Sequence, residues 1–418
     1  MTSSKLTSKI LKMRLSVIGQ GYVGLSIAVA AAKSGHQVVG LDVSSKLITN
    51  LRSGKSHIEG VGDDVLQTLI SSGSYVPSEE FTLAKGCDVA VIAVPTPLDS
   101  VGKPDLGMLV NAARKLSEVL DKKTLVINES TSYPGTLRNV ISPILMGKGK
   151  PKHLLAVSPE RVDPGNKDFG TRNTPRIVGA LDEEARRAAT DFYLSFCDIV
   201  IPVSSPEVAE AAKLLENSFR YVNISFINEF SKIMEKLKIP VSEVINAADS
   251  KPYGFMKFIP SVGIGGHCIP VDPLYLQHVA SSIGQESAFL SISQETNDNM
   301  PLYVARTLER RFGSLHGKRI LLFGVTYKAN VSDTRETAAN GFIRALVRLG
   351  ATVNWHDPWA NNWRGESSSE ITDKYDLGFA LVQHNNFDLQ NWGIAPIYCL
   401  TTSHEYPEWV PILDDFSV

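Results

Sequence analysis

The stretch that most restricts this chain is Gly19-Gln20-Gly21-Tyr22-Val23-Gly24, which follows the β-branched run Leu15–Ile18 and opens the Ala-rich stretch Gly24–Ser34. A GxGxxG between a strand and a helix has a physical reading. The first glycine permits the tight turn, the second lets backbone approach a pyrophosphate, and the third lets the helix pack closely on the strand. The helix N-terminus then presents unpaired N–H groups and positive dipole to the phosphates. Asp42 closes the next strand, eighteen residues beyond Gly24, where a carboxylate binds ribose hydroxyls. It would repel a 2′-phosphate, and Val43 and Ser44 supply no Arg to hold one, so NAD is expected rather than NADP.

Further β-branched runs at Val38–Asp42, Val89–Val94, Thr124–Asn128, His153–Val157 and Asp198–Ile201 alternate with helix-period segments, which predicts a parallel, doubly wound sheet. Near residue 200 the pattern changes. Ser204 and Glu207 have capping-box spacing, with Pro206 between them, and lead into a periodic apolar run from Val208 to Leu237. At 1.5 Å per residue, a helix of that length spans roughly 45 Å, more than a small domain needs. Such a helix links domains or builds a subunit interface, so a homodimer through it is expected. A second alternation starts at Lys318, with a helix near Thr337–Leu349 and a strand at Thr352–His356. The expected fold is α/β, with two Rossmann-like doubly wound lobes joined by a long central helix and a helical middle domain. The boundaries are 1–13 (disordered extension), 14–203, 204–310 and 311–418.

The 418 residues carry 42 Lys+Arg and 44 Asp+Glu, a formal charge of −2, which gives no polybasic surface for nucleic acid. No apolar run is long enough to span a membrane. Cys87, Cys197, Cys268 and Cys399 are far apart, with no CxxC, which suits a reducing cytoplasm and a soluble protein.

Three glycines precede Cys268 in Gly263-Ile264-Gly265-Gly266-His267-Cys268-Ile269-Pro270-Val271-Asp272-Pro273, so neither helix nor strand is expected to persist there. Gly265 and Gly266 can take positive φ and admit a ligand close to the backbone. A loop cysteine beside basic groups can be a thiolate nucleophile or merely structural. The other three cysteines lie in or beside apolar runs and are read as inert. His267 has no second His or Cys at ligand spacing, so no metal is expected. On the long helix, Lys213, Asn217 and Arg220 share one face. Their neighbours are mostly apolar, so that polar stripe can line a site, with Lys213 as acid, base or oxyanion stabiliser.

Together the motifs GQGYVG, VPTP, ESTSYPGT, SPERVDPG, EAAKLLENSFRYVNISFINE, GIGGHCIPVDP and GVTYKANVSDTRE resemble those of the UDP-glucose/GDP-mannose dehydrogenase family, in family order, from Arg14 to near residue 400. The resemblance implies an NAD-dependent, four-electron oxidation of a sugar C6 alcohol to a carboxylate. Cys268 would carry a thiohemiacetal and then a thioester. It further implies that Lys213 and Asn217 flank the reacting oxygen, that Asp272 holds Lys213 or a water, that Thr131 positions that water and that Glu160 serves hydrolysis. Gly19, Gly21, Tyr22, Val23, Gly24, Asp42, Thr96, Thr131 and Arg335 would serve the cofactor. Arg161, Val162, Lys213, Asn217, Arg220, Phe258, Gly265 and Lys328 would serve a UDP-sugar. For Arg335 an ion pair with Asp333 or Glu336 is the alternative. His267 before the cysteine and Ile-Pro-Val-Asp after it are similar to members that oxidise UDP-N-acetylhexosamines, UDP-ManNAc or UDP-GlcNAc, whereas UDP-glucose enzymes tend to carry Ser and Phe-Pro-Lys-Asp there. Rival readings are a UDP-glucose enzyme, a two-electron hydroxy-acid dehydrogenase, which needs no cysteine, and a silent nucleotide-binding protein.

Overall fold

The computed structural model describes residues 12–58, 60–163, 166 and 168–416. The extension expected over residues 1–13 lies, but for its last two residues, outside them. The chain divides into two compact units, residues 1–215 and 216–418, and the division falls within the 32-residue helix Pro206–Leu237.

The first unit is built on an eight-stranded sheet of β1 (Arg14–Ile18), β2 (Gln37–Leu41), β3 (Tyr75–Ser78), β4 (Val89–Ile92), β5 (Leu125–Asn128), β6 (Leu154–Val157), β7 (Arg176–Ala180) and β8 (Val200–Pro202). Their order is β3-β2-β1-β4-β5-β6-β7-β8. Both faces are covered, as a doubly wound sheet requires. Leu15, Val17, Val89, Val91, Leu125 and Ile127 pack into one core with Leu25, Ile27 and Phe192. The alternate residues Ile18, Ile92 and Val126 pack into another with Leu109, Leu116 and Leu137. Burying each such Val, Ile or Leu stabilises the fold by about 1.5–3 kcal/mol.

Two strands escape the sequence pattern. β3 carries Pro77, which removes a ladder donor, and it accordingly sits at the sheet edge. β7 begins with a buried arginine, which reads as a break in an apolar run. The expected all-parallel sheet needs one correction, because β6 and β7 pair antiparallel. No helix forms among the described residues of 158–175, and without a crossover helix the chain returns in the opposite direction.

The long helix starts as the sequence suggests but with its cap one residue later. The Val208 N–H donates to Ser205 Oγ at 3.4 Å, so Ser205 rather than Ser204 is the cap and Pro206 is the first helical residue. Glu207 therefore does not close a capping box; its carboxylate takes the Arg138 guanidinium at 2.6 Å.

The second unit continues through helices Val241–Asp249, Asp272–Ser282 and Ala288–Phe312. Strands β9 (Arg319–Phe323), β10 (Thr352–His356), the ribbon β11 (Asn362–Trp363) and β12 (Glu366–Ser367), β13 (Leu377–Ala380), β14 (Ile397–Cys399) and β15 (Val410–Pro411) follow. The parallel sheet has the order β10-β9-β13-β14-β15, and helix Ala339–Arg348 packs Phe342 on Phe379 of β13. Among the described residues no helix is long and apolar enough to cross a membrane.

Candidate active site

Adjacent parallel strands put their C-terminal ends on one sheet edge, so Gly19, the β4 exit and the β5 exit leave side by side. Gly19 has φ +89°, and a Cβ there would lie 2.4 Å from the Ala93 carbonyl oxygen, a conformation and a space only glycine tolerates. A Cβ on Gly24 would lie 1.8 Å from the Gly19 oxygen, which is the close helix–strand packing expected. Above Gly21 a Cβ would meet nothing within 4 Å. The helix Tyr22–Lys33 begins there with no side-chain cap, so the N–H groups of Tyr22, Val23 and Gly24 face an open cradle suited to an anion.

Asp42 accepts the Gln20 N–H at 2.8 Å and the Ser44 N–H at 2.9 Å, holding its carboxylate at the end of β2. These residues fit NAD. Thr96 is buried and Thr131 half-buried on the same edge. Sequence reasoning missed Gln20, wholly buried, whose amide oxygen accepts the Tyr75 hydroxyl at 2.7 Å; its x position in GxGxxG carried no signal.

Elsewhere in this unit Glu160 and Lys213 come together, though not through the carboxylate. Lys213 Nζ donates to the Glu160 backbone carbonyl at 2.7 Å. The Glu160 carboxylate accepts the N–H groups of Arg161 and Val162, each at 2.7 Å, and Arg176 Nη2 at 2.9 Å. Burial alone would raise Glu160, but Arg176, those two N–H groups and Lys213 hold it below the ordinary carboxylate range. Glu129 shares Arg176, at 2.6 and 2.8 Å from Nη1, and accepts the Tyr193 hydroxyl. Full burial pushes Glu129 up to about 7, against the pull of Arg176.

The Arg161 guanidinium donates to the Pro175 carbonyl at 2.8 Å. On the long helix, Glu210 accepts the N–H groups of Gly135 and Leu137 and the Ser132 hydroxyl at 2.7, 2.9 and 3.3 Å, which fixes the turn carrying Thr131. Burial raises Glu210 to about 7.

In the second unit Cys268 is exposed, whereas Cys87, Cys197 and Cys399 are buried, with their thiols pushed up to about 11, 11 and 12 by that burial. The Asp272 N–H donates to the Cys268 carbonyl at 2.9 Å, and a helix begins at Asp272, so the Pro-Val-Asp-Pro run starts a helix where none was expected. Asp272 is buried and accepts Asn217 Nδ2 at 2.5 Å. Arg220 is exposed.

The glycine-rich loop differs from expectation. Gly266 does take positive φ, at +91°, and Gly265 does not. An ideal Cβ would lie 2.9 Å from Tyr327 at Gly266 and 3.2 Å from it at Gly265. Burial, then the charge of Arg335, holds His267 below its ordinary pKa.

A cavity of about 960 Å³ is lined by Gly265 and Lys328, and by Lys257, Thr326, Gln383 and Thr402, a mixed apolar and polar lining suited to a small polar ligand. Phe258, Arg220 and Arg335 do not line it. Phe258 meets Phe219 edge-on at 6.1 Å between ring centres, and Arg335 is forked onto Asp333 at 2.5–3.0 Å, the alternative the sequence left open. Lys257 and Gln383 were missed. Lys257 adjoins Phe258, and Gln383 follows β13 at the sheet edge where such folds place ligands. Among the described residues no group of three His, Cys, Asp or Glu could hold a metal ion.

Residues 13–197, 207–299 and 321–396 match, respectively, the NAD binding, central and UDP binding domains of the UDP-glucose/GDP-mannose dehydrogenase family. The UDP-N-acetyl-D-glucosamine 6-dehydrogenase of Salmonella typhi is 32% identical over 393 residues, 90% of this chain and 91% of that one. The UDP-N-acetyl-D-mannosamine dehydrogenase of Methanococcus maripaludis is 33% identical over 90% of this chain and 87% of its own. Among solved structures, a UDP-glucose dehydrogenase from Pyrobaculum islandicum superposes with a TM-score of 0.88 at 28% identity, covering 98% of this chain and 99% of that one. With three domains matched in order and relatives alike over nine-tenths of its length, the chain belongs to the UDP-glucose/GDP-mannose dehydrogenase family of NAD-dependent nucleotide-sugar 6-dehydrogenases.

Proposed function

We propose that the protein oxidises the C6 primary alcohol of a UDP-N-acetylhexosamine, UDP-ManNAc or UDP-GlcNAc, to the uronic acid, with Cys268 as nucleophile. NAD+, when bound, supplies the hydride acceptor for each of the two oxidations. In the first, C6 gives up a hydride and the hydroxyl proton is released to solvent, leaving an aldehyde. Lys213 and Asn217 stabilise the oxygen as its charge develops. The Cys268 thiol adds to the aldehyde, forming a C–S bond while its proton passes to oxygen. Loss of the second hydride from that thiohemiacetal leaves a thioester. Water, positioned by Thr131 and Asp272, with Glu160 serving this step through the carbonyl that holds Lys213, then adds to the thioester carbonyl; the C–S bond breaks, and carboxylate, thiol and a proton are released.

Gly19, Gly21, Tyr22, Val23, Gly24, Asp42, Thr96 and Arg335 are assigned to the cofactor, and Arg161, Val162, Arg220, Phe258, Gly265 and Lys328 to the UDP-sugar. The corresponding domains are 14–203 for NAD, 204–310 for the helical middle and 311–418 for UDP. The observation that carries the reading is the exposed thiol of Cys268, four residues before a buried Asp272 that is itself bonded to Asn217.

Leu215, Phe219, Phe226, Ile233 and Leu237 lie exposed on the long helix at spacings of four and seven residues. That periodic stripe supports a homodimer through this helix. The four separated cysteines support a cytoplasmic setting, and the product is of the class that donates uronic acids to polysaccharides.

An absorbance assay over UDP-glucose, UDP-GlcNAc, UDP-ManNAc and GDP-mannose tests the reading. Two NADH per UDP-hexosamine is expected, as is loss of complete turnover in Cys268→Ser. One NADH per substrate, or full turnover in Cys268→Ser, would overturn it. Preference for UDP-glucose would favour the second reading, to which the Pyrobaculum islandicum likeness points.

A further inference from the structure

Arg176 is the most deeply buried cation at the Glu160 turn, its side chain 3% exposed. It begins β7, which pairs antiparallel with β6 through Ala156↔Ala180 and Val157↔Gly179. Extending that register places Arg176 opposite Glu160. The guanidinium forks between two carboxylates, Nη1 to both oxygens of Glu129 and Nη2 to Glu160. Below it, the Tyr193 ring lies 4.9 Å from the guanidinium carbon, and the Tyr193 hydroxyl donates to Glu129. Planar, bidentate and stacked, this is an arginine-specific seat.

The Glu160 carboxylate is consumed by this arrangement. One oxygen takes two backbone N–H groups, which closes the 160–162 turn on itself, and the other takes Arg176. What the turn still directs outward is the Glu160 main-chain carbonyl, 2.7 Å from Lys213 Nζ. A lysine stem is long and flexible, so an ammonium has a defined position only when an acceptor fixes it. Glu129, Glu160, Arg176 and Lys213 thus form one connected set.

We propose that Arg176 is a positioning residue for the oxidation: by gripping the Glu160 carboxylate it fixes the 160–162 turn, and so aims the carbonyl that holds the Lys213 ammonium. This rests on the catalytic reading of Lys213. Lysine at position 176 would keep the charge but could not fork, and the fully buried Glu129 would take it, leaving the turn unheld.

The test is a double-mutant cycle on the full-length enzyme, with turnover of the UDP-sugar as readout. Arg176→Lys is expected to lower kcat about 100-fold, the cost of roughly 1 Å of misplacement, with KM changed less than about 3-fold. In a Lys213→Ala background the same change is expected to cost less than about 3-fold, because a residue acting through Lys213 has nothing left to position. Wild-type kcat in Arg176→Lys, or losses that multiply in the double variant, would overturn the proposal. Should Arg176→Lys lose its cooperative melt, the neutral pair Glu129→Gln with Arg176→Met removes the same grip and is judged by the same two outcomes. A Lys213→Ala enzyme with wild-type kcat would instead strike down the reading of Lys213, and the role of Arg176 with it.

Discussion

Asn217 and Asp272 meet in a 2.5 Å hydrogen bond, amide Nδ2 donating to carboxylate Oδ2, and the Asp272 N–H in turn holds the Cys268 carbonyl at 2.9 Å. The long helix therefore reaches the main chain of the Cys268 loop through one buried residue, Asp272. The energetic consequence follows from burial. Asp272 is only 2% exposed, and a buried carboxylate that loses a donor cannot recover it from water.

Asn217→Ala should therefore destabilise the fold by about 1–3 kcal/mol, read as a lower thermal midpoint, and should slow turnover as well. Asn217→Asp should be worse than alanine, since it sets two carboxylates face to face. A midpoint unchanged in both variants would show that the contact contributes nothing.

Thiol chemistry separates the four cysteines. Only a thiolate reacts, and burial holds Cys87, Cys197 and Cys399 up at about 11, 11 and 12, while Cys268 is exposed. Under native conditions near pH 7.5, iodoacetamide should add one carbamidomethyl group, at Cys268, with loss of activity in step. Mass spectrometry of the peptides checks this, and early labelling at any of the other three would contradict it.

The sequence told more of the fold than of the wiring around the site. Gly19, Gly24 and Asp42 were legible because each answers to a local rule, of turn, packing or strand end. Cys268 stood out because glycine and proline on both sides forbid regular structure. Glu129, Arg176 and Tyr193 were not legible. They lie 17 to 64 residues apart in sequence and meet only because β5, β6 and β7 are neighbours, and β6–β7 is the pair whose direction the pattern missed. The role of Glu160 also divides in the structure, since its carboxylate serves the turn while its carbonyl serves Lys213. No residue-type argument can see a main-chain acceptor.

The start of the long helix carries a pH-dependent pair. Arg138 Nε donates to Glu207 at 2.6 Å and, as the largest cause, lowers Glu207 to about 2. The folded pKa lies below the unfolded one, so this stabilisation is present above about 4.5 and fades as pH falls toward 2. Both side chains are partly solvated, which limits the pair to about 0.5–1 kcal/mol. Glu207→Gln should melt lower than wild type at pH 7, and the gap should narrow steadily as the pH is lowered toward 3. A gap that stays constant over that range would assign the loss to something other than this ion pair.

Gly266 meets two constraints at once, and they can be told apart. Its φ of +91° is a conformation L side chains rarely adopt, and a Cβ there would lie 2.9 and 3.1 Å from two Tyr327 ring carbons. Gly266→Ala should thus cost about 1–3 kcal/mol from the backbone alone, with the clash added. Because Gly266 is two residues from Cys268, kcat should fall in the same variant. Pairing it with Tyr327→Ala relieves the contact and leaves the backbone term, so the double variant should be more stable than the sum of the two single losses predicts. Strict additivity of the thermal shifts would show that the ring gives way freely and that the left-handed backbone is the whole reason for glycine here.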